Sequence, residues 1–225
     1  TPIRQMKHTG ILLTLVAALL FVACRTDNTS IQLLDQAETL MNAAPDTALA
    51  LLDSIDSHRL GRADNARYAL LRSQALDKNF IDISNDSLIS IAVDYYKHSH
   101  NSLYKGMAYF YLSRIYENGG RYEEAIPYLK EFKGNDAMVA PSVLAALGNC
   151  YAHTGNDAQA AATLIKAAHA ADNNLLSPAY LIQAGQIFEK LGKNTDALKA
   201  YQEVKDKYYG STQSMNIDMY IERVK

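Results

Sequence analysis

The stretch LAALGNCYAHTGNDAQAAATLIKA, from Leu144 to Ala167, sets small and bulky residues at intervals that suit two short helices folded back on one another. Gly148 and Ala160 fall where the helices of such a hairpin cross, and a larger side chain at either position would overpack the contact by ~1–3 kcal/mol. Leu144, Leu147, Tyr151 and Leu164 surround that crossing with apolar bulk. Between the two halves, Gly155-Asn156 predicts a left-handed turn that stops the first helix and lets the second begin.

One hairpin cannot bury its apolar face alone, so the reading requires neighbours with the same spacing. Upstream, Tyr109, Leu112, Ser113, Tyr116, Gly120, Ala125, Leu129 and Phe132 repeat the set at an offset of about 35 residues. Downstream, Leu181, Ala184, Gly185, Phe188, Gly192, Ala197, Tyr201 and Val204 repeat it after about 37. A plain helical bundle has no need of small residues in register. The pattern resembles the tetratricopeptide repeat. That resemblance implies an all-α fold, a right-handed α-solenoid of about five antiparallel helix pairs with a short C-terminal capping helix.

The beginning of the chain reads differently. Met6-Lys7-His8 is a short basic start, Ile11 to Phe21 is almost wholly apolar, and Phe21-Val22-Ala23-Cys24 follows. As a helix, about 13 apolar residues reach only about 20 Å, short of a ~30 Å hydrocarbon core. Residues 1–23 therefore read as an export signal removed on maturation. The segment resembles a bacterial lipoprotein signal, which implies cleavage between Ala23 and Cys24 and a diacylglyceryl group on the Cys24 thiol. An ordinary secretory signal and a short membrane helix are the alternatives. Lipid on Cys24 would hold the protein to a bilayer of the cell envelope, on the periplasmic side or the cell surface, with the outer membrane favoured.

With 48% hydrophobic and 20% charged residues and a formal charge of −2, the composition suits a helical protein. Lys and Arg are scattered among Asp and Glu, which argues against a nucleic-acid partner. Residues 24–30 read as a polar tether. Residues 31–101 read as degenerate helix pairs, Ile31 to Asn42 with Asp46 to Ile55, then Arg62 to Lys78 with Asn85 to His98. Three regular repeats are expected over residues 102–209 and a capping segment over 210–225, with its helix between Met215 and Val224. Asp46 or Thr47 is expected to cap the helix after Pro45, Ser177 to cap the one that opens with Pro178, and Pro127 to kink a helix without breaking it.

Two family resemblances divide the chain. Residues Gly134 to Lys225, with GNDAMVAPSVLAALGNCYAHTG, LSPAYLIQAGQIFEKLGK and MYIERVK, look like bacterial tetratricopeptide proteins similar to the ancillary subunit of the secretory translocon. That group usually carries an uncleaved N-terminal membrane helix, where this chain has the shorter segment described above. Cys24 to about Lys130, with DTALALLDSID, ARYALLRSQALDKNF and MAYFYLSRIYENGGRYEEAIPYL, resembles exported tetratricopeptide lipoproteins and the sensory arms of bacterial regulators. The two resemblances meet near residues 131–136, either as a natural combination or as a fusion.

No residue set in the sequence stands out as catalytic, and none implies a metal or another cofactor. His98 and His100 lie on different sides of a helix, and the glycines of Gly185 to Lys193 are too far apart for a phosphate loop, with no Ser or Thr after the lysine. Glu123, Glu124 and Glu189 read as isolated solvated carboxylates, and Cys150 as a small packed side chain. The reading is therefore a non-enzymatic surface. In stacked hairpins the first helix of each repeat lines the concave side, which places Met107, Phe110, Arg114 and Glu117 there, then Ser142, Ala145, Asn149 and Ala152, then Ala179, Ile182, Gln186 and Glu189. Such a groove offers apolar contact, amide groups and one cation at Arg114, without the Lys and Asn cluster of a carboxylate clamp. The expected role is a scaffold that binds a protein or extended peptide. A chaperone-like factor at the export machinery and a sensory arm are the alternatives.

Overall fold

The computed structural model describes residues 28–137 and 139–225. Cys24 and the expected signal lie outside them. Among the described residues, eleven α-helices follow one another and there is no strand. They form five pairs: α1 (Asn28–Leu40) with α2 (Pro45–Asp53), α3 (Arg62–Lys78) with α4 (Ser87–Tyr96), α5 (Ser102–Asn118) with α6 (Tyr122–Glu131), α7 (Val139–His153) with α8 (Asp157–Ala171), and α9 (Ser177–Lys190) with α10 (Asn194–Lys207). A short helix, α11 (Ile217–Arg223), packs on α10 and closes the stack. Each helix packs on the next, so the array is an α-solenoid.

The crossings lie where small residues stand. A Cβ on Gly148 would sit 2.8 Å from Leu164 Cγ and 3.4 Å from the Ala160 carbonyl oxygen, so α7 and α8 touch backbone to side chain at that point. In the next pair a Cβ on Gly185 would lie 2.3 Å from the Tyr201 ring. Around these contacts Leu164, Leu181 and Tyr201 are fully or almost fully buried. Burying a large apolar side chain is worth ~1.5–3 kcal/mol, which is how units too short to be stable alone become stable when stacked.

The turns repeat as well. Gly155 adopts φ +78, with the Asn156 amide bonded back to the Tyr151 carbonyl at 2.8 Å, and Gly120 and Gly192 take the same left-handed place after α5 and α9. After α3 the chain makes the same pair of turn bonds, Phe80 N–H to Asp77 O at 3.0 Å and Ile81 N–H to Leu76 O at 3.0 Å, but the residue at φ +57 is Phe80. A degenerate sequence there still folds into the regular turn.

Several local expectations are corrected. α1 begins at Asn28, so residues 28–30 are helical rather than tether. Pro45 is itself the first residue of α2, and Asp46 and Thr47 lie inside its first turn instead of capping it; proline brings no N–H that needs a cap. Ser177 likewise opens α9 instead of capping it, and its buried hydroxyl donates to the Ala168 carbonyl at 2.7 Å and accepts from the Asn173 amide at 3.0 Å, tying α9 back to α8. α9 has no side-chain cap; Asn173 orders the turn before it, its Oδ1 accepting from the Leu175 and Leu176 amides at 2.9 Å each. α6 runs through Pro127, with Ala125 and Leu129 buried on either side of it.

Candidate functional site

The first helices of the first four pairs touch in turn, α1 on α3, α3 on α5 and α5 on α7. A polar network draws them closer. Arg67 of α3 pairs with Asp35 at 2.7 Å and with Glu38 of α1, and Tyr104 of α5 donates to Glu38 Oε1 at 2.6 Å. Glu38 thus links the first pair directly to the third, and the concave side winds into a pocket of about 390 Å³. Its walls are Glu38, Met41 and Asn42 from α1 and the turn after it, Gln74 and Lys78 from α3, Leu103, Met107, Phe110 and Tyr111 from α5, and Val139 and Ser142 from α7.

Met107, Phe110 and Ser142 of the expected groove therefore come together in one pocket. The other expected members have different surroundings. Arg114 bonds Asp77 of α3 at 3.1 Å and Glu117 at 2.9 Å, so the cation expected to be free is spent inside the fold. Burial pushes the Glu117 carboxyl upward against the pull of Arg114, and its Oε1 is buried without a partner. Cys150 is fully buried and its thiol is pushed up to about 12 by that burial, which keeps it neutral and unreactive. Ala145, at 5% exposed, packs with Leu164, Ala167 and Ala184; it belongs to the core between α7, α8 and α9 and not to a surface.

Farther along, Asn149 and Ala152 are half-buried on α7, Ala179 and Ile182 are half-buried on α9, and Gln186 is exposed. Glu189 is not an isolated carboxylate. Arg223 of α11 grips it with two bonds of 2.7 Å and the Tyr201 hydroxyl adds a third, so this end of the expected groove is fastened to the cap. His153 stacks flat on Tyr122, with ring centroids 4.1 Å apart. Among the described residues, no group of three or more His, Cys, Asp or Glu is placed to hold a metal, and no helix is long and apolar enough to cross a membrane.

Glu38, Met41, Asn42, Gln74, Lys78, Leu103, Tyr111 and Val139 line the pocket but were not expected to. A signal for the α3 residues is present once Phe80 is aligned with Gly120. The same register then places Arg67, Gln74 and Asp77 where Met107, Arg114 and Glu117 sit. What hid it was the missing glycine.

A family model described as a tetratricopeptide repeat matches residues 107–136 and 179–211. The chain carries tetratricopeptide repeats. Its central repeat, from Leu144 to Ala167, lies between the two matched segments. The solved structure MamA AMB-1 is similar over 80% of this chain and 99% of that one, with a TM-score of 0.57 and 17% sequence identity. At that identity the likeness concerns the fold. No curated protein matches. Tetratricopeptide arrays are surfaces for protein partners, and the pocket is where this one is concave, partly apolar and lined from four helices.

Proposed function

We propose that this protein is a non-catalytic scaffold of the bacterial cell envelope, anchored by lipid on Cys24, that holds a protein partner through the concave pocket of its first four helix pairs. The observation that carries the binding half of this reading is the convergence of α1, α3, α5 and α7 on one cavity of about 390 Å³. The apolar side chains Met41, Leu103, Met107, Phe110 and Val139 supply contact area there, and Asn42 supplies an amide able to meet a peptide backbone.

The anchor rests on the lipoprotein-like run into Cys24 and on a solenoid that begins only a few residues later, at Asn28. Two experiments test the two halves. Labelling with a fatty acid should mark the wild-type protein and not Cys24→Ala; equal labelling of both removes the anchor. Leu103→Trp should crowd the pocket from a half-exposed position and release partners recovered with the wild-type protein. Unchanged recovery would move binding to another face.

A further inference from the structure

We infer that the pocket takes an extended acidic segment of a partner, one apolar side chain with an Asp or Glu close to it in sequence, and that Lys78 is the residue that meets the carboxylate. This rests on the pocket being the binding site. The charges in its lining carry the argument. Glu38 is the one acidic residue among the described residues of the lining, and both of its oxygens are engaged, one by Arg67 and the other by the Tyr104 hydroxyl. Tyr111 and Gln74 bring no formal charge to the lining. Lys78 has no ion pair among the described residues, although its neighbour Asp77 is already bonded to Arg114. A lone ammonium beside apolar walls is complementary to one carboxylate held near an apolar group.

Size and shape narrow the occupant further. At about 390 Å³ the cavity stands at the low end of ligand pockets, which run ~300–1,000 Å³. An amphipathic helix is about 10–12 Å across and needs a long open trough, so a few residues of extended chain fit better. Asn42 and Lys78 stand at the C-terminal ends of α1 and α3, whereas Leu103 and Val139 stand at the N-terminal ends of α5 and α7. An apolar side chain can lie against Leu103 and Val139 while a nearby carboxylate reaches Lys78, and the Glu38 carboxylate, bonded to Tyr104 next to Leu103 in sequence, disfavours the reverse orientation.

The test uses fluorescent hexapeptides, acetylated and amidated, with one Leu and one Asp separated by zero to two residues, and their Asn counterparts. Anisotropy titration against the whole protein should show an Asp peptide binding about five- to tenfold tighter than its Asn counterpart. Lys78→Gln should erase that preference without abolishing binding, and added salt should shrink it. An Asp peptide that binds no better than its Asn counterpart, or a preference that survives Lys78→Gln, overturns the inference, as does a free C-terminal carboxylate that replaces the internal Asp without loss. The groove reading is judged apart from this. It survives if neutral peptides bind and Leu103→Trp removes them, and it falls if binding is indifferent to Leu103→Trp.

Discussion

At Gly185 the packing tolerates no additional atom, because the Tyr201 ring is wholly buried and its hydroxyl is tied to Glu189, so neither side of the contact can retreat. Gly185→Ala should lower stability by ~1–3 kcal/mol, and Gly148→Ala by less, since Leu164 is a more adaptable neighbour. Thermal melts of the two variants check the order. Phe80 presents the opposite case. It holds φ +57 while 92% exposed, so its ring repays none of the backbone strain. A non-glycine residue in the left-handed region costs ~1–2 kcal/mol, offset in part by the greater freedom glycine gives the unfolded chain. Phe80→Gly should therefore melt higher than the wild type. A lower melting temperature would mean that the aromatic ring contributes to the fold.

At the scale of elements, the helices of the regular repeats could be read from their small residues and turn glycines, because overpacking penalises anything larger at a crossing. Gly148, Gly155 and Ala160 made α7 and α8 plain, and the C-terminal cap followed from the need to cover an open end. Less could be read where side chains act across distant elements. The fastening of α11 depends on Arg223 reaching Glu189, residues on helices separated by α10, and no helical period links them. That contact carries a pH dependence. Hydrogen bonding from Arg223 holds the Glu189 carboxyl below its ordinary value of 4.5. A carboxylate lowered in the folded state adds stability above its ordinary value, and that stability is lost as pH falls through the lower folded one. Arg223→Ala should thus melt below the wild type at pH 7, and the gap should close on acidification below about pH 4.5. A gap independent of pH would place the effect in packing of Arg223 against Tyr220 instead.

The whole molecule owes its pocket to curvature, and curvature is what the sequence pattern hides best. Spacing within a hairpin says which helices pair, but how sharply successive pairs turn depends on contacts such as Arg67 with Asp35 and Glu38, or Tyr104 with Glu38. Those contacts bring Met41 and Lys78 from the irregular N-terminal pairs beside Met107 and Phe110 from the regular ones. The pocket consequently draws on α1 and α3 as well, and shares Met107, Phe110 and Ser142 with the groove expected along α5, α7 and α9. A photoreactive phenylalanine analogue tests this most directly when it replaces Phe110 inside the pocket and, in a second strain, Gln159 on the exposed side of α8. A discrete crosslinked protein is expected from position 110 that disappears when Leu103→Trp is added, and none from position 159. Adducts of equal yield from both positions, or a Phe110 adduct indifferent to Leu103→Trp, would contradict it.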